Sequence, residues 1–356
     1  MTIREVTEFM KKVTCFEWED VIAPTYATEN VLPDIDNFTF GLEIEFESDI
    51  EDASIILSKM KEYDLCSNMQ VIEDRNVERK YEGWRLMKET SCDWEIISPI
   101  LRDDAQSWEM LYKVLSMIKK DFNGKVDEKC GLHIHVGREC FFKEPQYFML
   151  LKDMYSYLEP LTIGIAAGDM AIVSEERLYS YALTIANNDK LWWCRGYEKT
   201  EIEKIIRDSL VPDSEIMTYI NYFYGTRMTG LNFSTTSTKH STVEFRSFNG
   251  TLNPATIQNY VRYVAYIIYR LIEKEGKLPA YNGQAFYEDG QMYRFDKRYV
   301  DECLEFLFEG NLDLKKTIVY NLSNNGFLIT KDIARALKGQ YTEDEVRKVM
   351  LRFFGH

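Results

Sequence analysis

The chain has 356 residues, of which 45% are hydrophobic and 14% aromatic, so it can bury a sizeable core and is not globally disordered. Its net charge of -15 and isoelectric point near 4.9 argue against nucleic acid as a partner, because proteins that bind phosphate backbones usually present a basic surface. The seven scattered cysteines include no CxxC pair, which is typical of reduced cytoplasmic thiols. The sequence shows neither an apolar signal segment nor an apolar run long enough to cross a bilayer. We therefore expect a cytoplasmic protein that does not bind a membrane.

Periodic patterns predict alternating strands and helices over the first part of the chain. Residues 1–36 are expected to form an N-terminal helix and an irregular lead-in. The elements predicted next are the strand FTFGLEIEFES, the helix DASIILSKMKEY, the strands WRLMK and DWEIISPIL, the helix DDAQSWEMLYKVLSMIKK and the strand CGLHIHVG. Asp103 and Asp104 suit the N-terminus of the second helix, where the helix dipole favours negative charge.

The second half begins with a segment, residues 145–225, that we expect to be mostly helical. The segments GLNFS and TVEFRSF then predict the two strands of a hairpin, joined by the Ser/Thr-rich turn STTSTKHS. A long amphipathic helix follows, with Asn253 as its N-cap, Pro254 at its first position and Gly276 as its stop.

The tail, from about residue 311 to 356, differs from the rest in charge. It carries eight Lys/Arg against five Asp/Glu, which makes it net +3 and leaves about -18 on the remainder. Its pattern indicates a small helical unit. We favour a cap that packs on the main domain over a distant likeness to a winged helix with a nucleic-acid or partner role. The expected division is a lead-in at 1–36, a main domain at 37–280 and a helical C-terminal subdomain or cap at 281–356.

Four predicted strands place hydrophobic side chains on one face and polar ones on the other. The polar faces carry Glu43, Glu45 and Glu47; Asp93 and Glu95; His133 and His135; and Glu244 and Arg246. Taken singly, each is most often an ordinary solvated face or a structural histidine. Together they are more informative, because three carboxylates in a row repel one another without a cation, and a solvated face usually includes Lys and Thr.

These residue types indicate a site for divalent cations and an anion. Glutamate carboxylates with a little imidazole suit Mg²⁺ or Mn²⁺ better than a structural zinc. Arg246, two residues after Glu244, offers a fork for phosphate or carboxylate. The chain contains no GxxxxGK[ST], GxGxxG, HExxH or GxSxG motif, so a nucleotide would be held chiefly by metals on a sheet and not by a P-loop.

Four motifs occur in a fixed order along the chain: GLEIEFE, EIISPIL, CGLHIHVG and VEFRSFNGTL. In this order they resemble the amidoligase family of the glutamine synthetase-like carboxylate–amine ligase superfamily, over roughly residues 38–260. The resemblance implies a curved antiparallel sheet of glutamine synthetase-like type with flanking helices. With the tail added, the expected fold class is α+β with a small helical C-terminal region. The resemblance also implies that ATP and two or three Mg²⁺ (or Mn²⁺) ions bind on the concave face of the sheet.

The resemblance implies metal ligation by five residues: Glu43, Glu45, Glu95, His133 and Glu244. Glu43, His133 and Glu244 would share the ion nearer the γ-phosphate of ATP. Glu45 and Glu95 would hold another ion.

Further roles are implied for residues outside these ligand sets. His135 would lie beside the transferring phosphoryl group, and Arg246 would bind the phosphate or the substrate carboxylate. Asn232 and Arg227 are further candidates for nucleotide binding. Glu89 stands near the position where many relatives have an Asp ahead of ExxSP.

The implied reaction joins a carboxylate to an amine with consumption of ATP, through an acyl phosphate. The partners would be a small-molecule, peptide or protein carboxylate and an amine co-substrate. Two alternatives stay open: a catalytically silent metal- or nucleotide-binding module of the same fold, and a metal-dependent hydrolase, since HxH with carboxylates also suits hydrolases. Loops near 66–83 and 190–200, the second with Trp192, Trp193 and Arg195, are expected to cover the site.

Overall fold

The computed structural model describes residues 21–65, 83–89, 91–140, 146–167, 178, 182–185, 229–233, 242–324, 326–340 and 342. The described part of the lead-in, residues 21–36, contains neither helix nor strand, and the predicted N-terminal helix lies outside the described residues. It is tied to the rest of the chain by Gln258, whose side chain bonds both the backbone N–H and the carbonyl of Ala27 at 2.9 and 2.7 Å.

The centre of the fold is an open sheet of six strands. These are β1 (Phe40–Phe46), β2 (Arg85–Lys88), β3 (Trp94–Ile97), β4 (Gly131–Gly137), β5 (Leu231–Asn232) and β6 (Thr242–Asn249). Their order is β2-β3-β1-β4-β6-β5, and all pairings are antiparallel. Each strand coincides with a segment for which the sequence predicts a strand, and β6 extends one residue beyond its segment, to Asn249. The strands β5 and β6 pair as predicted, and the turn between them, 234–241, lies outside the described residues.

Four helices accompany this sheet: α1 (Ala53–Glu62), α2 (Ala105–Asp121), α3 (Gln146–Ala166) and α4 (Pro254–Glu273). The predicted N-cap Asn253 is confirmed, since it accepts a bond from the backbone N–H of Ala255. Asp104, predicted at the N-terminus of α2, is its N-cap and accepts a bond from the backbone N–H of Ser107. Gly276 follows α4 with a φ of +74°, a conformation in which glycine is favoured after a helix.

The helices α2, α3 and α4 cover one face of the sheet through aromatic contacts. Trp108 of α2 packs on Phe40 of β1 with ring centroids 5.2 Å apart. Tyr155 of α3 meets Phe245 of β6 at 5.8 Å, and Tyr260 of α4 stacks on Phe248 of the same strand at 4.5 Å. The hydrophobic side chains of the strands therefore face these helices, and the polar side chains lie on the opposite face of the sheet.

The C-terminal region packs on this assembly and is not only helical. It contains α5 (Lys297–Phe308), α6 (Leu312–Ile318), α7 (Tyr320–Asn324) and α8 (Lys331–Leu337), together with β7 (Phe286–Asp289), β8 (Met292–Phe295) and β9 (Leu328–Ile329). The last three strands form a second antiparallel sheet, in the order β7-β8-β9. The expectation of a purely helical region is therefore wrong, because the region also contains this sheet. The strand β9, for example, has only two residues and is too short to show a period in the sequence.

Two hydrogen bonds tie this region to the main helices. The hydroxyl of Tyr299 donates to the carbonyl of Tyr157 at 2.7 Å, and the Arg270 side chain donates to the carbonyl of Leu307 at 2.9 Å. These contacts hold α5 against α3 and α4, and the division of the chain into domains stays a prediction. No helix of the described ranges combines the length and the apolar character needed to cross a membrane.

Candidate active site

Strand pairing brings the polar residues of the motifs into neighbouring rows on one face. Glu43 lies opposite His133 of β4, and Glu45 lies opposite Glu95 of β3. Residues that lie directly opposite each other in an antiparallel pair project to the same face. The motifs that are far apart in sequence therefore contribute to one surface.

A third row crosses the other half of the sheet. His135 lies opposite Glu244 of β6, which in turn lies opposite Asn232 of β5. The register between β4 and β6 shifts between Leu132 and Ile134. This β-bulge gives β6 one extra residue opposite β4, and a bulge changes the direction of the side chains beside it.

Three of these side chains form a compact set, which we call the first ligand group: Glu43, His133 and Glu244. The Nδ1 atom of His133 lies 2.9 Å from a carboxylate oxygen of Glu43 and 3.4 Å from one of Glu244. One ligand atom from each residue falls within 4.8 Å of the others. Atoms this close can bind a single cation.

A second ligand group consists of Glu45, Glu95 and His133, and their ligand atoms also lie within 4.8 Å of one another. Here the other ring nitrogen of His133, Nε2, faces Glu45 at 3.8 Å. The second carboxylate oxygen of Glu45 accepts a hydrogen bond from the backbone N–H of Gly131 at 2.5 Å. His133 therefore stands between the two groups and presents one nitrogen to each.

Burial excludes the interpretation of this face as a solvated one. The exposed fractions of Glu45, Glu95 and Glu244 are 6%, 3% and 3%. Carboxylates that are this buried need a compensating charge, because removing an ion from water is costly unless it is paired. The carboxylates described on this face outnumber its positive charges. Divalent cations would supply the missing charge, and carboxylate oxygens with an imidazole nitrogen can bind them.

The electrostatics of Glu43 and His135 depend on each other. Burial acts to raise the pKa of Glu43, but His135 and His133 outweigh it and hold this pKa well below its usual range. Burial acts to lower the pKa of His135, but the carboxylates of Glu43 and Glu244 outweigh it and raise this pKa. The Nε2 atom of His135 lies 3.2 Å from Glu43 without forming an aligned hydrogen bond. A buried nitrogen in this position is suited to a ligand.

Glu244 is held in place from two sides. Arg246 donates a hydrogen bond to one of its oxygens, and the amide of Asn232 donates to the other at 2.6 Å. Burial acts to raise the pKa of Glu244, but Arg246 and His135 lower it. Burial likewise acts to lower the pKa of Arg246, and Glu244 and Glu43 raise it. Both members of the pair are therefore stabilised in their charged forms.

The amino-acid sequence around this site matches a known protein family. A family model described as "Putative amidoligase enzyme" matches residues 36–268. The chain belongs to the amidoligase family. This match confirms the resemblance carried by the four motifs and indicates an amide-forming ligase. No curated protein matches the chain.

The matched region of this amidoligase contains both ligand groups and all six strands of the central sheet. Of the sequence-predicted site residues, eight lie together on the polar face: Glu43, Glu45, Glu95, His133, His135, Asn232, Glu244 and Arg246. Their roles in binding and catalysis stay predictions. Arg227, Trp192, Trp193 and Arg195 lie outside the described residues, as does most of the loop at 66–83.

Neighbouring acidic residues of the motifs belong to neither ligand group. Glu47 follows the end of β1 and exchanges two backbone hydrogen bonds with Lys125, while burial and the nearby Asp127 raise its pKa. Asp93 is exposed and accepts a bond from the backbone N–H of Ser48. Glu89 is also absent from both groups. The alternation that predicts the site thus continues past the residues that form it.

Sequence reasoning missed two contacts that position the site. The hydroxyl of Thr242 lies 3.0 Å from Nδ1 of His135 and restricts the orientation of that ring. The backbone N–H of Gly131 does the same for Glu45. Thr242 shares a strand face with Glu244, two residues away, which is the one signal that the sequence offers for it.

Proposed function

We propose that this amidoligase is an ATP-dependent carboxylate–amine ligase of glutamine synthetase-like type, acting in the cytoplasm through an acyl phosphate. The observation that carries the proposal is the pair of ligand groups, which lie side by side on one sheet face and share His133. Two neighbouring cation sites suit the binding of a polyphosphate chain. The amide product follows from family membership.

The chemistry explains why ATP is needed. A carboxylate is a poor electrophile because its leaving group would be oxide, whereas an acyl phosphate releases phosphate when an amine attacks. Transfer of a phosphoryl group depends mainly on positioning and on the stabilisation of charge. When bound, Mg²⁺ or Mn²⁺ would neutralise phosphate oxygens and hold the reactants in line.

The chain's own residues have distinct parts in this proposal. Glu43 and Glu244 would fix the first ion with His133, and Glu45 and Glu95 would fix the second. The orientation of Glu244 is set by Asn232 and Arg246, so these two residues would position a ligand through it. Asn232, Arg246 and the undescribed Arg227 would also contact the nucleotide.

His135 and Arg246 are the residues that would touch the reacting group. The Nε2 atom of His135 faces the first ligand group and forms no aligned hydrogen bond among the described residues. It can therefore donate to an oxygen of the transferring phosphoryl group. Arg246 adds a positive charge on the same face and would stabilise the negative charge that develops there. The amine could come from a small molecule, a peptide or a protein.

Product analysis tests this proposal. Purified protein incubated with ATP, Mg²⁺ and a metabolite extract is expected to form a new species whose mass equals that of an acid plus an amine minus water. Mass spectrometry should find this species only when ATP and Mg²⁺ are both present, because the carboxylate must be activated first. Binding of ATP with no product across a broad panel of acids and amines would favour a silent module. Cleavage of peptides or esters without ATP would favour a hydrolase.

A further inference from the structure

Arg85 lies on the same sheet face as the two ligand groups, at its far edge. Its neighbours in β2, Trp84 and Leu86, are buried in the core, so the alternation of the strand places Arg85 on the opposite face. The register supports this, because Arg85 lies opposite Ile97, which lies opposite Glu43. Arg85 thus belongs to the same row across the sheet as Glu43 and His133.

The guanidinium group of Arg85 has no partner among the residues that the structure describes. It forms neither a hydrogen bond nor an ion pair there, although the residue is half-buried. Arg246, which the structure also describes on this face, is paired with Glu244. A half-buried cation without a partner loses hydration and gains nothing in return. Such a group is suited to an anionic ligand.

The order of charges across the face indicates what kind of anion this is. From β2 to β6 the face presents Arg85, the second ligand group, the first ligand group and Arg246. Each ligand group contains two carboxylates, which one divalent cation would balance. The two arginines would then leave the loaded face positively charged at both ends. An elongated anion that lies across the face would complement this arrangement.

Distance favours a polyphosphate over a single carboxylate. Four strand spacings separate β2 from β6, which places the backbones of Arg85 and Arg246 about 19 Å apart. The two long side chains shorten the gap but cannot both contact one carboxylate group that is bound at the first ligand group. A chain of phosphates can contact Arg246 at one end and reach toward Arg85 at the other.

We infer that Arg85 binds a phosphate group of the nucleotide, at the end of the polyphosphate that is remote from the reacting phosphoryl group. The inference rests on the proposed function, since it assigns a further contact for the nucleotide. Arginine suits this place because its rigid planar fork matches two phosphate oxygens at once, whereas the lysine ammonium is a point charge without this fixed geometry. Arg85 would then fix the direction in which the nucleotide lies across the sheet.

Binding of MgADP, measured by isothermal titration calorimetry, tests the inference. Arg85→Gln is expected to raise the Kd for MgADP by about tenfold or more, as the loss of a charged hydrogen bond usually does. Arg85→Lys should show a smaller increase. The matched control is Lys88→Gln, since Lys88 lies on the same strand, is exposed and lies near the ring of Trp94 on the opposite face. This control should bind MgADP as the wild type does.

The outcomes separate this inference from the proposed function. If the wild type binds no MgADP, the nucleotide-dependent function is wrong and the role of Arg85 fails with it. If the wild type binds MgADP and Arg85→Gln binds it equally well, only the role of Arg85 is wrong. Adenosine serves as a second ligand, because an Arg85→Gln effect of equal size on adenosine would also contradict a contact with phosphate. Arg85→Lys keeps the charge and supplies the comparison if Arg85→Gln does not fold.

Discussion

Replacing Glu43 by Gln is expected to lower amide formation by about a hundredfold to a thousandfold, the scale seen when a group that stabilises developing charge is removed. Glu43 lies closer to both histidines of the site than Glu244 does, at 2.9 Å from His133 and 3.2 Å from His135. Its loss would remove one carboxylate from the first ligand group and release the ring of His135. Steady-state release of ADP, measured with saturating Mg²⁺, would report the loss.

The matched control for this prediction lies on the same strand segment. Glu47→Gln removes a carboxylate four residues further on, outside both ligand groups, and should change the rate by no more than a few-fold. Circular dichroism should show that Glu43→Gln keeps the fold, because glutamine has nearly the same shape. Near wild-type turnover in the Glu43→Gln variant would show that Glu43 has no role in the reaction.

Replacing Glu45 by Gln is expected to remove the part of the stabilisation by divalent cations that comes from the second ligand group, while the first ligand group still binds its cation. A ligand present at one hundred times its Kd stabilises the folded state by about 2.7 kcal/mol, so Mg²⁺ or Mn²⁺ should raise the wild-type Tm by several degrees. Glu45 and Glu95 lie directly opposite each other, and like charges in such pairs repel. Without added cations the variant should therefore be at least as stable as the wild type. The amide oxygen can still accept the bond from Gly131.

Thermal unfolding with Mg²⁺, with Mn²⁺ and with a chelator would measure both parts of this prediction. Glu288→Gln is a suitable control, because Glu288 is an exposed acid on β7, far along the chain from both ligand groups, and this variant should keep the full cation-dependent shift. An equal shift in Glu45→Gln and the wild type would mean that the second ligand group binds no cation.

The alternation of the motif strands predicted most of the candidate site. Period-two patterns identify which side chains share a face, so Glu43 and Glu45, His133 and His135, and Glu244 and Arg246 could be assigned to one surface. Caps such as Asn253 were equally clear, because the residue types that accept backbone bonds at a helix start are few.

Other features depend on pairing between strands, which the sequence does not encode locally. The bulge between β4 and β6 determines which residues lie opposite His133, and one strand alone carries no sign of it. The sharing of His133 by the two ligand groups follows from register in the same way. Glu47 shows the limit of periodicity, since it continues the alternation of Glu43 and Glu45 although β1 has already ended.

The C-terminal sheet was missed for a different reason. The strands β7 and β8 have four residues each, and β9 has two. Segments this short cannot establish a period, and the exposed residues of β7 supply little hydrophobic signal. The strands β7 and β8 form a local antiparallel pair, but the pairing of β9 with β8 depends on the chain returning after α7, which is a tertiary property.

The central claim is that a carboxylate is activated by ATP on this face before an amine attacks it. The most direct measurement follows a heavy oxygen isotope placed in the carboxylate of the acid found in the amide product. If an acyl phosphate forms, one labelled oxygen per turnover should appear in the released inorganic phosphate, and mass spectrometry of that phosphate would detect it. Amide formation with wholly unlabelled phosphate would contradict the account.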